Sequence, residues 1–119
     1  MSDKLVTASE SLLGAVLNSA KDHITENECR QFRNRVRNRI SQLKLLNSAS
    51  RKKVIEFVKK EIGESFGHVT AKEDDLERFV NTADTNAILR LMKINCDLPN
   101  EVMTSDVRTS LKNLMSIIA

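Results

Sequence analysis

The sequence predicts an all-α protein, a compact bundle of five or six amphipathic helices with residues 1–119 as a single helical domain. Three observations carry this prediction. The 119 residues include only 3 Gly and 1 Pro, too few for the closely spaced turns of a sandwich or barrel. Apolar residues recur at spacings of three and four, the period of a helix with one buried face. Capping residues stand ahead of these periodic runs, where helix starts need them. The length matches the usual size of one domain, with room for one core.

Thr7 and Glu10 read as a capping box, followed by Leu12, Leu13, Val16, Leu17 and Ala20 on one face. The first helix is therefore expected from about Ala8 to about Asp22. A second box, Thr25 to Glu28, opens the most regular segment, in which Cys29, Phe32, Val36, Ile40 and Leu43 mark the apolar stripe. This helix is expected to reach Leu46. The polar stretch Asn47 to Ser50 breaks the pattern, and Val54, Ile55, Val58 and Ile62 define a third helix that Gly63 is placed to end. Phe66 sits in a loop from which it can tuck into the core.

Thr70 and Glu73 form a third candidate box ahead of Leu76, Phe79, Val80 and Ala83. Asp84 or Thr85 caps a fifth helix carrying Ala87, Ile88, Leu91 and Met92 inward, and Pro99 stops or redirects the chain. Thr104 or Ser105 caps the last helix, with Val107, Leu111, Leu114, Met115 and Ile118 on its buried side. No internal repeat or low-complexity segment is present.

The formal charge of +3 conceals an asymmetry. Residues 1–60 hold 13 Lys/Arg against 6 Asp/Glu, whereas residues 61–119 hold 6 against 10. Within residues 30–60 there are 11 basic residues and one acid, Glu56. Such a block attracts polyanions or acidic protein surfaces. The internal alternative is neutralisation by Glu73, Asp74, Asp75 and Glu77 of the fourth helix.

Several function classes find no support. Cys29 and Cys96 fall on apolar helix faces, 67 residues apart, and read as reduced core residues; the close four-ligand spacing of a zinc site is absent. His23 and His68 lie far apart, at a helix end and in a loop, and no phosphate loop, nucleophile elbow or helical His-Glu metal motif occurs. The carboxylates at 73–77 suit the start of a helix through its dipole. A non-enzymatic protein without metal or cofactor is expected. The amino-terminal residues lack the apolar run of a signal peptide, and no stretch approaches the roughly 20 apolar residues of a membrane span. No membrane partner is expected, and the location is expected to be intracellular, cytoplasmic or nuclear.

The second helix concentrates the chemistry. Arg30, Arg33, Arg35, Arg37 and Arg39 place five guanidinium groups in ten residues. At about 100° per residue, Arg30, Arg33, Arg37 and Lys44 border one side of the apolar stripe, and Arg35 and Arg39 border the other. Gln31, Asn34, Asn38, Ser41 and Gln42 fill the back. Arginines in this position can lay their stems on the core and turn their forks outward to phosphates or carboxylates. Arg51, Lys52 and Lys53 add positive charge at the start of the third helix, against its dipole. Base stacking is disfavoured, since there is no Trp or Tyr and the 4 Phe mostly fall on buried faces.

The run Phe32-Arg33-Asn34-Arg35-Val36-Arg37-Asn38-Arg39-Ile40-Ser41-Gln42-Leu43-Lys44, followed by Asn47 and Arg51-Lys52-Lys53-Val54, resembles the central helical domain of transcription elongation factor S-II. The resemblance implies a helical bundle whose basic helix docks onto RNA polymerase or its nucleic acid, with Arg35, Arg37, Arg39 and Lys44 as contact residues. The segment from Ile88 to Pro99 also looks like the amino-terminal domain of those factors. The acidic Met-rich segment and the four-cysteine zinc ribbon of that family have no counterpart here.

The reading is a binding or regulatory module that docks through Arg30, Arg33, Arg35, Arg37, Arg39, Lys44, Arg51, Lys52 and Lys53 onto nucleic acid backbone or transcription machinery. The alternative is a protein-interaction or self-assembly module, such as a viral or phage accessory protein, in which the apolar seam of the second helix meets another chain or a second copy. A third reading is an adaptor that offers its acidic fourth helix to a basic partner.

Overall fold

Asp3 opens the first helix. Its carboxylate accepts the Val6 N–H at 3.2 Å, and α1 spans Lys4–Ala20 in the computed structural model, which describes residues 3–119. This start lies a turn ahead of the Thr7–Glu10 pattern, because Leu5 and Val6 are both buried and extend the apolar face backwards. At the other end, Ser19 Oγ donates to the Val102 carbonyl at 2.7 Å, fastening α1 to a distant turn.

The second helix, α2, spans Glu26–Lys44. Its capping box forms as read from the sequence: Thr25 Oγ1 accepts the Glu28 N–H and Glu28 Oε1 accepts the Thr25 N–H, each at 3.1 Å. The Thr25 N–H bond holds the Glu28 carboxyl below the ordinary carboxylate range. Asn47 then caps α3, Ser48–Ser65, by accepting the Ser50 N–H at 2.8 Å.

Gly63 does not end α3. The helix runs through it and stops at Gly67, which takes the left-handed φ of 82° while the His68 N–H returns to the Gly63 carbonyl at 2.8 Å. Gly63 serves close approach instead. The Thr70–Ala71 backbone crosses over it, and a Cβ there would stand 2.6 Å from Ala71 N and 2.8 Å from Thr70 O. The Ala71 N–H donates to the Lys59 carbonyl at 3.1 Å and secures the crossing.

That crossing holds Thr70 and Ala71 outside the next helix. The expected Thr70–Glu73 box therefore does not form, and α4 spans Glu73–Thr82 with Lys72 at its N-cap. Asp75 Oδ2 accepts the Lys72 N–H at 3.0 Å. Asp84 caps α5, Thr85–Leu91, through the Ala87 N–H at 2.7 Å. A left-handed Lys93 closes α5, with the Ile94 N–H donating to the Leu89 carbonyl at 2.9 Å. Pro99 leads into a short 3₁₀ turn, Asn100–Val102, and Thr104 caps α6, Ser105–Ile118.

Among the described residues there are six α-helices and no strand, the all-α bundle that the periodicity predicts. The axis of the packing is α1 against α6, with α2 laid on α1, α4 on α6, and α3 touching α4, α5 and α6. Phe32, Leu12, Leu13, Val16, Ile62, Ile88 and Leu111 are wholly enclosed; burial of each contributes about 1.5–3 kcal/mol. The radius of gyration, 13.7 Å, is close to the roughly 13.5 Å of one compact domain of this length. Arg108 Nη1 donates to the Val80 carbonyl at 2.8 Å and to that of Ala83 at 3.3 Å, supplying donors to the end of α4.

Ser9 lies wholly inside α1's packed face, and its hydroxyl finds no hydrogen-bond partner among the described residues. Removing an unsatisfied buried hydroxyl relieves a desolvation cost. Ser9→Ala is expected to leave stability unchanged or raise it by up to about 1 kcal/mol in chemical denaturation. A clear loss would mean that the hydroxyl holds a partner.

Candidate basic interface on α2 and α3

The stripe Cys29, Phe32, Ile40 and Leu43 is buried, with Val36 half-buried between them, and α1 is the helix that α2 chiefly packs against. This fixes the rotation of α2. Arg30 and Arg37 are exposed and Arg33 half-buried on one flank; Arg35 is exposed and Arg39 half-buried on the other. Gln31, Asn34, Asn38, Ser41 and Gln42 are all exposed, so the helix has the uncharged back that its sequence spacing implies.

Three of the nine candidate cations are engaged by the fold. Arg39 Nε donates to the Met92 carbonyl at 2.8 Å, and its Nη1 donates to Gln42 Oε1 at 3.3 Å. Burial pushes the Arg39 guanidinium below its ordinary value, although guanidinium stays charged at neutral pH. Lys44 Nζ meets Glu10 Oε1 at 3.3 Å. Arg51 Nε meets Asp3 Oδ2 at 2.7 Å, in an ion pair whose atoms are not aligned as a hydrogen bond. Asp3 and Glu10 stand seven residues apart on one face of α1, and that spacing was the one sequence signal for their role.

Arg39 is thus a strut between α2 and the chain that follows α5. Arg39→Ala is expected to cost about 1–2 kcal/mol, the scale of a hydrogen bond to a charged group plus lost stem packing. The midpoint of thermal unfolding reads this directly. An unchanged midpoint would show that the Met92 carbonyl finds water instead.

Arg30, Arg33, Arg35, Arg37, Lys52 and Lys53 remain. Among the described residues, none of them has a carboxylate within ion-pair distance. The acidic cluster is occupied elsewhere or free: Asp75, 2% exposed, lies 3.8 Å from His68 Nε2 and 3.5 Å from Arg78 Nη1. Glu73, Asp74 and Glu77 are exposed on α4 without an ion pair among the described residues. None of the nine candidate cations pairs with the 73–77 cluster: α2 is committed to α1, and although α4 touches α3 as well as α6, no ion pair joins α3 to α4 among the described residues.

No free aromatic platform accompanies the cations. Phe32 and Phe79 are buried; Phe57 lies under Lys93, 4.4 Å from its ring centre, and Phe66 under Arg78 at 4.2 Å. Cys29 and Cys96 are free thiols, and burial pushes the Cys96 thiol up, partly opposed by the charge of Arg35. Among the described residues, no group of three or more His, Cys, Asp or Glu side chains is placed to hold a metal ion, and no helix is long and apolar enough to cross a membrane.

No family model, curated protein or solved structure matches this chain. Its own residues and their geometry therefore carry the functional reading.

Proposed function

We propose that this protein is a non-enzymatic intracellular binding module that docks onto the phosphate backbone of a nucleic acid, in the setting of the transcription machinery. One observation carries the reading: Arg30, Arg33, Arg35, Arg37, Lys52 and Lys53 form no ion pair among the described residues. Guanidinium forks bordering a helix suit phosphate oxygens, which accept two parallel N–H bonds. With Phe32 and Phe79 buried and the half-buried Phe57 and Phe66 each covered by a cation, backbone contact is favoured over base stacking. The S-II-like run from Phe32 to Val54 supports the transcriptional setting. Arg39 and Arg51 act in this reading by holding α2 and α3 in place.

The test is affinity for duplex and single-stranded nucleic acid across a salt series. Neutralising five or six phosphates of a duplex gives a log–log slope of roughly −4.5 to −5.4. Absence of binding at low salt would overturn the reading. The apolar seam of α2, through which the competing interaction module would act, is buried within the chain, chiefly against α1.

A further inference from the structure

Leu45 is 87% exposed at the corner where α2 ends and α3 begins. Around it, residues 44–53 contain Lys44, Arg51, Lys52 and Lys53 and no acid. A phosphate backbone offers such an apolar tip nothing to cover it. Its natural complement is a concave apolar surface with an acidic edge.

The same molecule carries that surface. Between α4 and α6 runs an open groove of about 430 Å³, floored by Leu76, Val80 and Met115 and edged by Glu73 and Glu77, with Lys112 on the facing helix. Glu73 and Glu77 form no ion pair among the described residues. Within the chain the corner does not enter the groove, as the exposure of Leu45 shows.

We infer that the α2–α3 corner of one copy docks into the α4–α6 groove of a second copy, with Leu45 on the apolar floor and Lys52 and Lys53 against Glu73 and Glu77. The opposite charges of the two halves then meet between molecules. Lys52 and Lys53 belong to both surfaces, whereas Arg30, Arg33, Arg35 and Arg37 are used only by the nucleic-acid reading, so this contact does not rest on that reading.

Sedimentation of the full chain from roughly 10 μM to 1 mM, a range that brackets weak association, tests the contact at low and high salt. The wild-type mass is expected to rise above the monomer at low salt and to fall back at high salt. Leu45→Glu alone and Glu73→Lys with Glu77→Lys alone are each expected to stay monomeric. Their equimolar mixture is expected to associate again, since each variant keeps the half that the other lacks. All three substituted positions are exposed, and circular dichroism checks that the helices persist. A wild type that is monomeric throughout, a variant that associates like the wild type, or a mixture that stays monomeric overturns the inference. So does monomeric wild type held by anionic vesicles through Leu45, which would make the corner a membrane contact. The wild-type salt titration reads the arginine face separately, so either proposal can fail while the other stands.

Discussion

Arg30→Gln, Arg33→Gln and Arg37→Gln combined are expected to lower nucleic-acid affinity roughly a hundredfold or more at about 50 mM salt, and to flatten the log–log salt dependence by about 2.7. The change in slope follows from leaving three phosphates without their cations, at about 0.9 each. Glutamine keeps much of each side chain's apolar stem, which matters for half-buried Arg33. Unfolding should therefore shift little. Duplex and single-strand titrations at four or more salt concentrations, alongside a melting curve, separate the two effects. An unchanged slope would remove these three residues from the interface and leave Arg35, Lys52 and Lys53 to account for any binding.

Gly63→Ala is expected to be the most damaging single-methyl change in the chain, at about 2–3 kcal/mol, the upper part of the usual cost of overfilling a packed site. The added Cβ would meet Thr70 C, Ala71 N and Thr70 O, all backbone atoms that cannot rotate aside. Relief requires moving the crossing segment, which loosens the Ala71-to-Lys59 hydrogen bond and the start of α4. A drop in melting temperature of roughly 8–15 °C is the corresponding readout. Gly14→Ala is the control: that position is exposed on α1 with open space around it, and alanine there is expected to be neutral or to stabilise the helix by roughly 0.5–1 kcal/mol. Equal effects at the two positions would show that Gly63 is not a contact glycine.

The helices were largely legible because each carries its own signal. The stripe from Cys29 to Leu43 announces a helix with one buried face, and the Thr25–Glu28 box closes with both bonds that the motif implies. Starts failed where a capping pattern had competitors. Thr7–Glu10 lost to Asp3 because Leu5 and Val6 gained burial by joining the helix. Thr70–Glu73 lost to a start at Lys72 because a residue of the preceding helix, Gly63, draws Thr70 and Ala71 into a crossing. Gly63 looked like a terminator for the same reason: glycine at a helix end and glycine at a close approach are written alike.

The site divides in the same way. By itself the sequence determined an all-α architecture and an α2 with arginine on both sides of an apolar stripe, because helical period and composition are local properties. Only the tertiary structure decided which cations are free. It gives Arg39 to the Met92 carbonyl, Lys44 to Glu10 and Arg51 to Asp3, and it leaves Arg30, Arg33, Arg35 and Arg37 away from the 73–77 cluster. The physical reason is that an ion pair depends on which helix packs against which. That choice is made by the fit of the apolar faces, with α2 on α1 and α4 on α6, and the charges follow wherever those faces carry them.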